Sequence, residues 1–432
     1  MTTDVASSTG TEPVEACSTP RAAIRQPSYR RYLIGQSVSL VGDQVWYVAL
    51  AWSAVHLASP GLAGLMLMLS SIPRLLLMLF GGVVADRFDV RRLMIGSDAL
   101  RTVVTAVAAL VALARPGIAL LAVLALVFGT VDAVFQPSAG AMPPRLLSAQ
   151  QYAGGAVLST LTARLALAVG APLGGVVLAT GGLAPALMVD AATFAVSVAT
   201  LLTVRPRPVV RAVTARVDRP DPLPRNGFVW ADLKAGLSFL IHHPVLGPMT
   251  VAFLLLNVGF VGPMNIGIAE LAAHRGWGAS GIGLMLTGFG LGAALGGVLT
   301  LKWRIRRNAG VWIAMLCAVE GVCLLGVALA PGIVLAAVVT SVLGLTLGPV
   351  NVLSTVLEQR YTPDELRGRV ASIQLVISLG LIPMTYGATG LIIGLVGTTG
   401  AFAPGALIEV SVLATLLAPG FRRARVDDER LT

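Results

Sequence analysis

Apolar stretches of about twenty or more residues recur along the chain, each closed by a short cluster of charged residues, Pro or Gly. A single segment can satisfy its own backbone N–H and C=O groups in lipid only as a helix, and crossing the hydrocarbon core takes about 20 residues. Cutting the sequence at charges, Pro and Gly predicts about twelve membrane helices, at roughly 30–57, 61–85, 93–114, 117–140, 153–179, 183–204, 246–271, 279–301, 310–330, 333–357, 370–396 and 400–420. The stretch GGVVADRFDVRR, residues 81–92, shows how abruptly such a run ends, with Asp86, Arg87, Asp89, Arg91 and Arg92 packed into its last seven positions.

Placing the basic residues orients the helices. With a cytoplasmic N-terminus the connections alternate between Arg-rich ones and nearly neutral ones. The Arg-rich set is Arg87 to Arg92, Arg145, Arg205 to Lys234, Lys302 to Arg307 and Arg360 to Arg369, and only Arg115 and Arg275 fall on the other side. This positive-inside asymmetry, with an even number of crossings, predicts that both termini are cytoplasmic.

Composition agrees: 56% of the 432 residues are hydrophobic and 12% charged, with a mean hydropathy of +0.83. The net charge of +10, nearly all of its cations Arg, would suggest nucleic acid or anionic lipid as a partner. Membrane topology accounts for the surplus, so no nucleic-acid role is expected. Cys17, Cys317 and Cys323 offer neither a disulfide framework nor a metal set, and no cofactor is expected. Residues 1–28 lack the apolar run of a signal peptide and read as a disordered cytoplasmic tail.

Shifted by 215 positions, Gly81 to Arg92 falls on GGVLTLKWRIRR, Gly296 to Arg307, with both glycines, the following Val and the final two Arg identical. The same shift pairs Gly129 with Gly344 and Arg145 with Arg360. An internal repeat of half the chain predicts two pseudo-symmetric six-helix bundles around a midplane site, which is the architecture of a transporter. The expected organisation is therefore a first bundle at 29–204, a linker at 205–243, a second bundle at 244–420 and a cytoplasmic tail at 421–432. Within the linker, the spacing of Phe228, Leu233, Leu237, Phe239 and Leu240 predicts a helix lying in the membrane interface.

With these residues in hand the chain resembles the major facilitator superfamily over essentially all its spans. The family's loop between helices two and three, G-x-x-x-D-R-x-G-R-R, is matched by Gly82, Asp86, Arg87 and Arg91, with Asp89 where the pattern has Gly and Val90 where it has Arg. GDQVWYVAL, DAATFAVSVATL and TPDELRGRVASI look like the branch of bacterial exporters that includes macrolide and enterobactin efflux proteins. The resemblance implies an all-α fold of twelve transmembrane helices and proton-driven export of small molecules, with Gly82, Asp86, Arg87 and Arg91 forming a conformational-switch loop. In span five, Gly170, Pro172, Gly174 and Gly175 are similar to the antiporter motif of the superfamily's drug exporters. Physically, that Pro removes one helix hydrogen bond and the glycines permit close packing.

Charges inside the membrane need a partner or a purpose, since each costs about 2.5–3.5 kcal/mol at the bilayer centre on insertion scales. Counting depth at 1.5 Å per residue puts Asp43 and Arg74 near the midplane as plausible partners, Arg164 at similar depth and Asp132 somewhat nearer the cytoplasm. Asp98 and Arg101 are spaced to pair locally near the cytoplasmic end of span three. The expectation is a proton-responsive network in which Asp43 and Asp132 load protons while Arg74 and Arg164 hold their charged form; static ion pairs that fix helix register are the other reading.

Gln36, Gln136, Asn257, Asn265 and Asn351 are the candidate polar points of a largely apolar substrate cavity, or else glue between helices. The implied function is a secondary exporter of a small lipophilic or amphipathic compound, working as a monomer in the plasma membrane with protons and lipid as its other partners. An importer on the same fold and a non-transporting membrane sensor stand as rivals. Neither a Walker A stretch nor an enzyme-like grouping of nucleophile and base is present in the sequence.

Overall fold

A computed structural model describes residues 20–206, 236–303, 308–363 and 366–426, apart from the side chains at 78–87, 149, 301–303, 368 and 372. The apolar runs form helices α1 (Pro27–Leu57), α2 (Pro60–Arg87), α3 (Val90–Ala114), α4 (Ile118–Ala141), α5 (Ala149–Gly181) and α6 (Leu183–Thr203). After the linker come α7 (Leu246–His274), α8 (Gly278–Trp303), α9 (Ala309–Leu329), α10 (Ile333–Tyr361), α11 (Arg367–Gly400) and α12 (Phe402–Leu417).

Eleven of these are long and apolar enough to cross a membrane, and α12 is shorter. Its last six residues, Val412–Leu417, wind as a 3-10 helix. The 3-10 rise of about 2 Å per residue stretches α12 to about 27 Å, close to the ~30 Å hydrocarbon thickness.

Breakers set the boundaries where the sequence reading cut. Pro stands at the first position of α1 and α2, and Gly182, at φ +76°, joins α5 to α6 in a conformation that suits Gly. Asp89 caps α3, its carboxylate accepting from the Arg92 N–H at 2.9 Å. Four interior prolines fall in equivalent helices of the two halves, Pro137 in α4 with Pro349 in α10 and Pro172 in α5 with Pro383 in α11, whereas Pro73 of α2 has no counterpart in α8.

Packing reveals the pseudo-symmetry. In the first half α2 packs on α4, α6 lies against α1 and α3, and α1 and α3 also touch α5 and α4 respectively. Adding six to every number reproduces the second half: α8 on α10, α12 against α7 and α9, α7 on α11, α9 on α10. The bundles meet through α2 with α11 and α5 with α8, a pair of contacts the same operation interchanges. The repeated glycines act alike here, since a side chain on Gly129 would strike the Ser70 carbonyl of α2 and one on Gly344 the Phe289 carbonyl of α8.

On the side opposite the Arg-rich turns the bundles touch backbone to backbone. A Cβ on Gly64 of α2 would lie 2.7 Å from the Tyr386 carbonyl of α11, and one on Gly390 would lie 2.7 Å from the Pro60 carbonyl. Across the other seam, Gly175 faces the Ala279 carbonyl and Gly283 the Ala171 carbonyl, at 2.7 and 2.8 Å by the same construction.

Candidate functional site

A cavity of about 440 Å³ lies between the bundles at mid-depth. Its two walls differ in chemistry. The first bundle contributes every charged group, Asp43, Arg74 and Asp132, with Gln44, Ser70 and Gln136 among apolar residues such as Leu40, Leu67 and Phe128, whereas the second contributes Phe260, Met264, Leu286, Phe289, Leu379 and Ile382. Trp46 and Tyr47 of α1 and Tyr386 of α11 also line it, and Asn265 is a polar point on the apolar side. Asn265 sits in a π-helical turn, Pro263–Gly267, that interrupts α7 at this depth.

Behind the polar wall, Arg101 organises four carboxylates. Its side chain is fully buried; Nη2 donates to Asp132, and Nη1 lies 3.6 Å from Asp98 Oδ1 and 4.0 Å from Asp43 Oδ1. The guanidinium is caged by Phe135, Phe194 and Phe128, with ring centroids 4.6, 5.2 and 5.8 Å away. Planarity and delocalisation suit Arg to such a place, because it can stack and bridge carboxylates at once. Asp98 also accepts from Ser197 Oγ of α6 at 2.6 Å. Asp190, fully buried on α6, accepts no hydrogen bond at either oxygen yet lies within electrostatic reach of Arg101 and Asp43.

Arg74 donates to the other oxygen of Asp132, so that one carboxylate joins two cations. The environments of those cations are opposite: 40% of the Arg74 side chain is exposed to the cavity and none of Arg101. Two guanidiniums thus face four carboxylates, a formal surplus of two negative charges when all are ionised. Such a set can exchange a proton or a cation with the cavity through Asp43 and Asp132, which line it.

Asp43, Arg74, Asp132, Gln136 and Asn265 gather at one cavity, but the pairing differs from the expectation. Asp43 faces Arg101 rather than Arg74, and Arg74 pairs with Asp132. Arg164, expected to share the network, makes no ion pair among the described residues and does not line the cavity. Arg101 takes that place: α3 begins at Val90, so it lies at the middle of its helix and not near the cytoplasmic end.

Gln36 and Asn257 do not line the cavity, and Asn257 donates to the Phe253 carbonyl of its own helix at 2.8 Å. Asn351 belongs to a second, smaller cavity. Depth counting along α6 would have exposed Asp190 as a midplane charge, whereas nothing in the sequence marks Gln44, Tyr47 or Tyr386 as cavity residues.

In the switch loop, the side chains of Gly82, Asp86 and Arg87 lie outside the described residues. Arg91 reaches across to the end of α6, Nε donating to the Leu201 carbonyl at 2.9 Å and Nη2 to the Leu202 carbonyl at 2.6 Å. A cation there satisfies terminal carbonyls and complements the helix dipole. The span-five motif lies between two helices, with Gly170 and Gly174 against α1 and Ala171, Pro172 and Gly175 against α8.

The chain as a whole is similar to known proteins. Enterobactin exporter EntS of Shigella boydii serotype 4 (strain Sb227) is 25% identical over 415 residues, covering 94% of this chain and 95% of that protein. EntS of Escherichia coli O1:K1 / APEC is 24% identical with the same coverage. Among solved structures, the nucleoside transporter NupG superposes with a TM-score of 0.66 at 15% identity, covering 90% of this chain and 99% of that one. A bacterial homolog of the human lysosomal transporter Spinster, inward-facing and unoccupied, gives 0.63 at 16% identity, with 92% and 96% covered. The family model described as Major Facilitator Superfamily matches residues 32–385. With its twelve-helix, two-bundle architecture and that match, the chain belongs to the Major Facilitator Superfamily and is a multi-pass membrane transporter.

Proposed function

We propose that the protein exports a small amphipathic or lipophilic compound across the plasma membrane in exchange for protons, by alternating access, with both termini in the cytoplasm. The observation that carries this reading is the charged network behind one wall of the central cavity. Asp132 is held between a water-accessible guanidinium and a buried one, so protonating it releases both Arg74 and Arg101. Asp43, with a quarter of its side chain exposed, offers a second carboxylate on the same wall.

The opposite wall of Phe, Met, Leu and Ile binds by area and sets no demand for a particular hydrogen-bonding pattern, which suits an amphipathic substrate. One charge crossing 100 mV supplies about 2.3 kcal/mol, or roughly a fifty-fold concentration ratio. The span-five motif and the likeness to enterobactin exporters support export as the direction.

The test is efflux of a lipophilic fluorescent dye from cells that make the protein, with and without a protonophore, alongside Asp43→Asn and Asp132→Asn. Proton-dependent efflux in the parent and its loss in both variants, each still in the membrane, is the expected result. Unchanged proton-dependent efflux in both variants would overturn the coupling assignment. Dye accumulation above the empty-cell level would instead reverse the direction.

A further inference from the structure

A second cavity, of about 80 Å³, lies within the C-terminal bundle toward the Arg-rich turns. Asn351, Ser354, Thr355 and Glu358 of α10 and Gln374 of α11 form its polar side, and Met249, Phe253 and Leu256 of α7 lie across from them. Gln374 lies beside the Glu358 carboxylate on this lining. Glu358 has no ion pair among the described residues. Its helix neighbour Arg360 stands about 200° further round α10 and lies against the Tyr361 ring. The one charge facing the space is thus negative, and the remaining polar groups are neutral.

The position relative to the central cavity matters as much as the charge. Leu256 lines the small cavity and Phe260 the large one. They are four residues apart on α7, hence on one face and about 6 Å apart along the axis. We propose that the small cavity is a vestibule subsite for the ammonium head of an amphipathic substrate, held by Glu358 with Gln374, Asn351 and Ser354, while the apolar body lies along α7 toward Phe260. The subsite rests on the transport reading but binds independently of proton coupling. It selects organic amines over neutral or anionic amphiphiles, because only a cation gains a charge-assisted hydrogen bond or a close ion pair there.

Equilibrium binding of tritiated decylammonium to the purified full-length protein in lipid nanodiscs, with tritiated decanol as the uncharged comparison, tests this. Glu358→Gln should weaken binding of the cation about tenfold or more and leave decanol binding unchanged, while Glu358→Asp retains most of the cation affinity. Asn351→Ala provides a second variant, expected to weaken the cation several-fold. Equal cation binding in the parent and Glu358→Gln overturns the subsite, as does an equal loss for cation and decanol. Absence of efflux in cells alongside intact, Glu358-dependent binding would refute the exporter reading and leave the subsite standing.

Discussion

The contrast between Arg74 and Arg101 gives a quantitative prediction. Both guanidiniums hold Asp132, so a count of contacts would rank them together. Burial separates them. Arg101→Gln leaves Asp98, Asp132, Asp43 and Asp190 around a neutral amide at a position with no exposure of its own, and also removes the cation from three phenyl rings. Breaking a buried pair from one side costs about 3–5 kcal/mol, since the remaining charge stays uncompensated. Arg74→Gln removes a partner whose side chain is 40% exposed, and Asp132 still has Arg101. Water from the cavity screens the change, so the cost is about 1 kcal/mol or less.

The expected difference between the two variants is therefore about 2–4 kcal/mol. The assay heats detergent-solubilised protein through a temperature series and follows the monodisperse fraction by gel filtration. Arg101→Gln should lose its folded fraction many degrees below Arg74→Gln, with Arg101→Lys between them, because Lys keeps the charge but not the planar fork. Equal midpoints, or a lower one for Arg74→Gln, would refute the burial argument.

Other outcomes follow from the geometry. Gly175→Ala and Gly283→Ala place a methyl group against a carbonyl of the facing bundle, which costs about 1–3 kcal/mol of overpacking; accessibility of a cysteine introduced at Ser280 to a membrane-impermeant maleimide should rise as that seam opens. His243 Nδ1 accepts from the Val245 and Leu246 N–H groups at 3.2 and 3.1 Å, and burial lowers its pKa below the ordinary 6.5. Because the folded state favours the neutral ring, this contribution is whole above about pH 6.5 and is lost as pH falls through the folded value. Thermal stability should thus decline below that pH in the parent, whereas His243→Asn flattens this part of the profile. Arg91→Ala should lower stability by about 1–2 kcal/mol through two uncapped carbonyls of α6, measured by the same heating series, and an unchanged midpoint would contradict the capping role.

The fold was legible because lipid imposes one rule on every segment. Twenty apolar residues must be a helix, and the half-chain repeat around Gly129 and Gly344 then dictates two bundles. Helix ends were less so, since Pro27 and Ala149 begin their helices several residues before the apolar runs and Tyr361 ends α10 beyond its run. Water and headgroups, not hydrocarbon, surround those turns.

The site was legible only in part. Depth along a helix follows from counting, and it brought Asp43, Arg74 and Asp132 to the right level. Azimuth does not: which way α5 turns Arg164 depends on tertiary packing, and every face of these helices is apolar enough to hide the answer. Arg101 was visible as half of a local pair, but its role arises from α3, α1 and α4 meeting around it.

The division of the central cavity into a charged wall and an apolar wall has an evolutionary consequence. The ion network belongs to helices of one bundle, while the other bundle meets the cavity with no charged side chain. Substitutions at Phe260, Leu286, Phe289 or Leu379 can therefore reshape the cargo space without disturbing a single ion pair. A lineage built this way can change its cargo one residue at a time and keep the same engine running throughout.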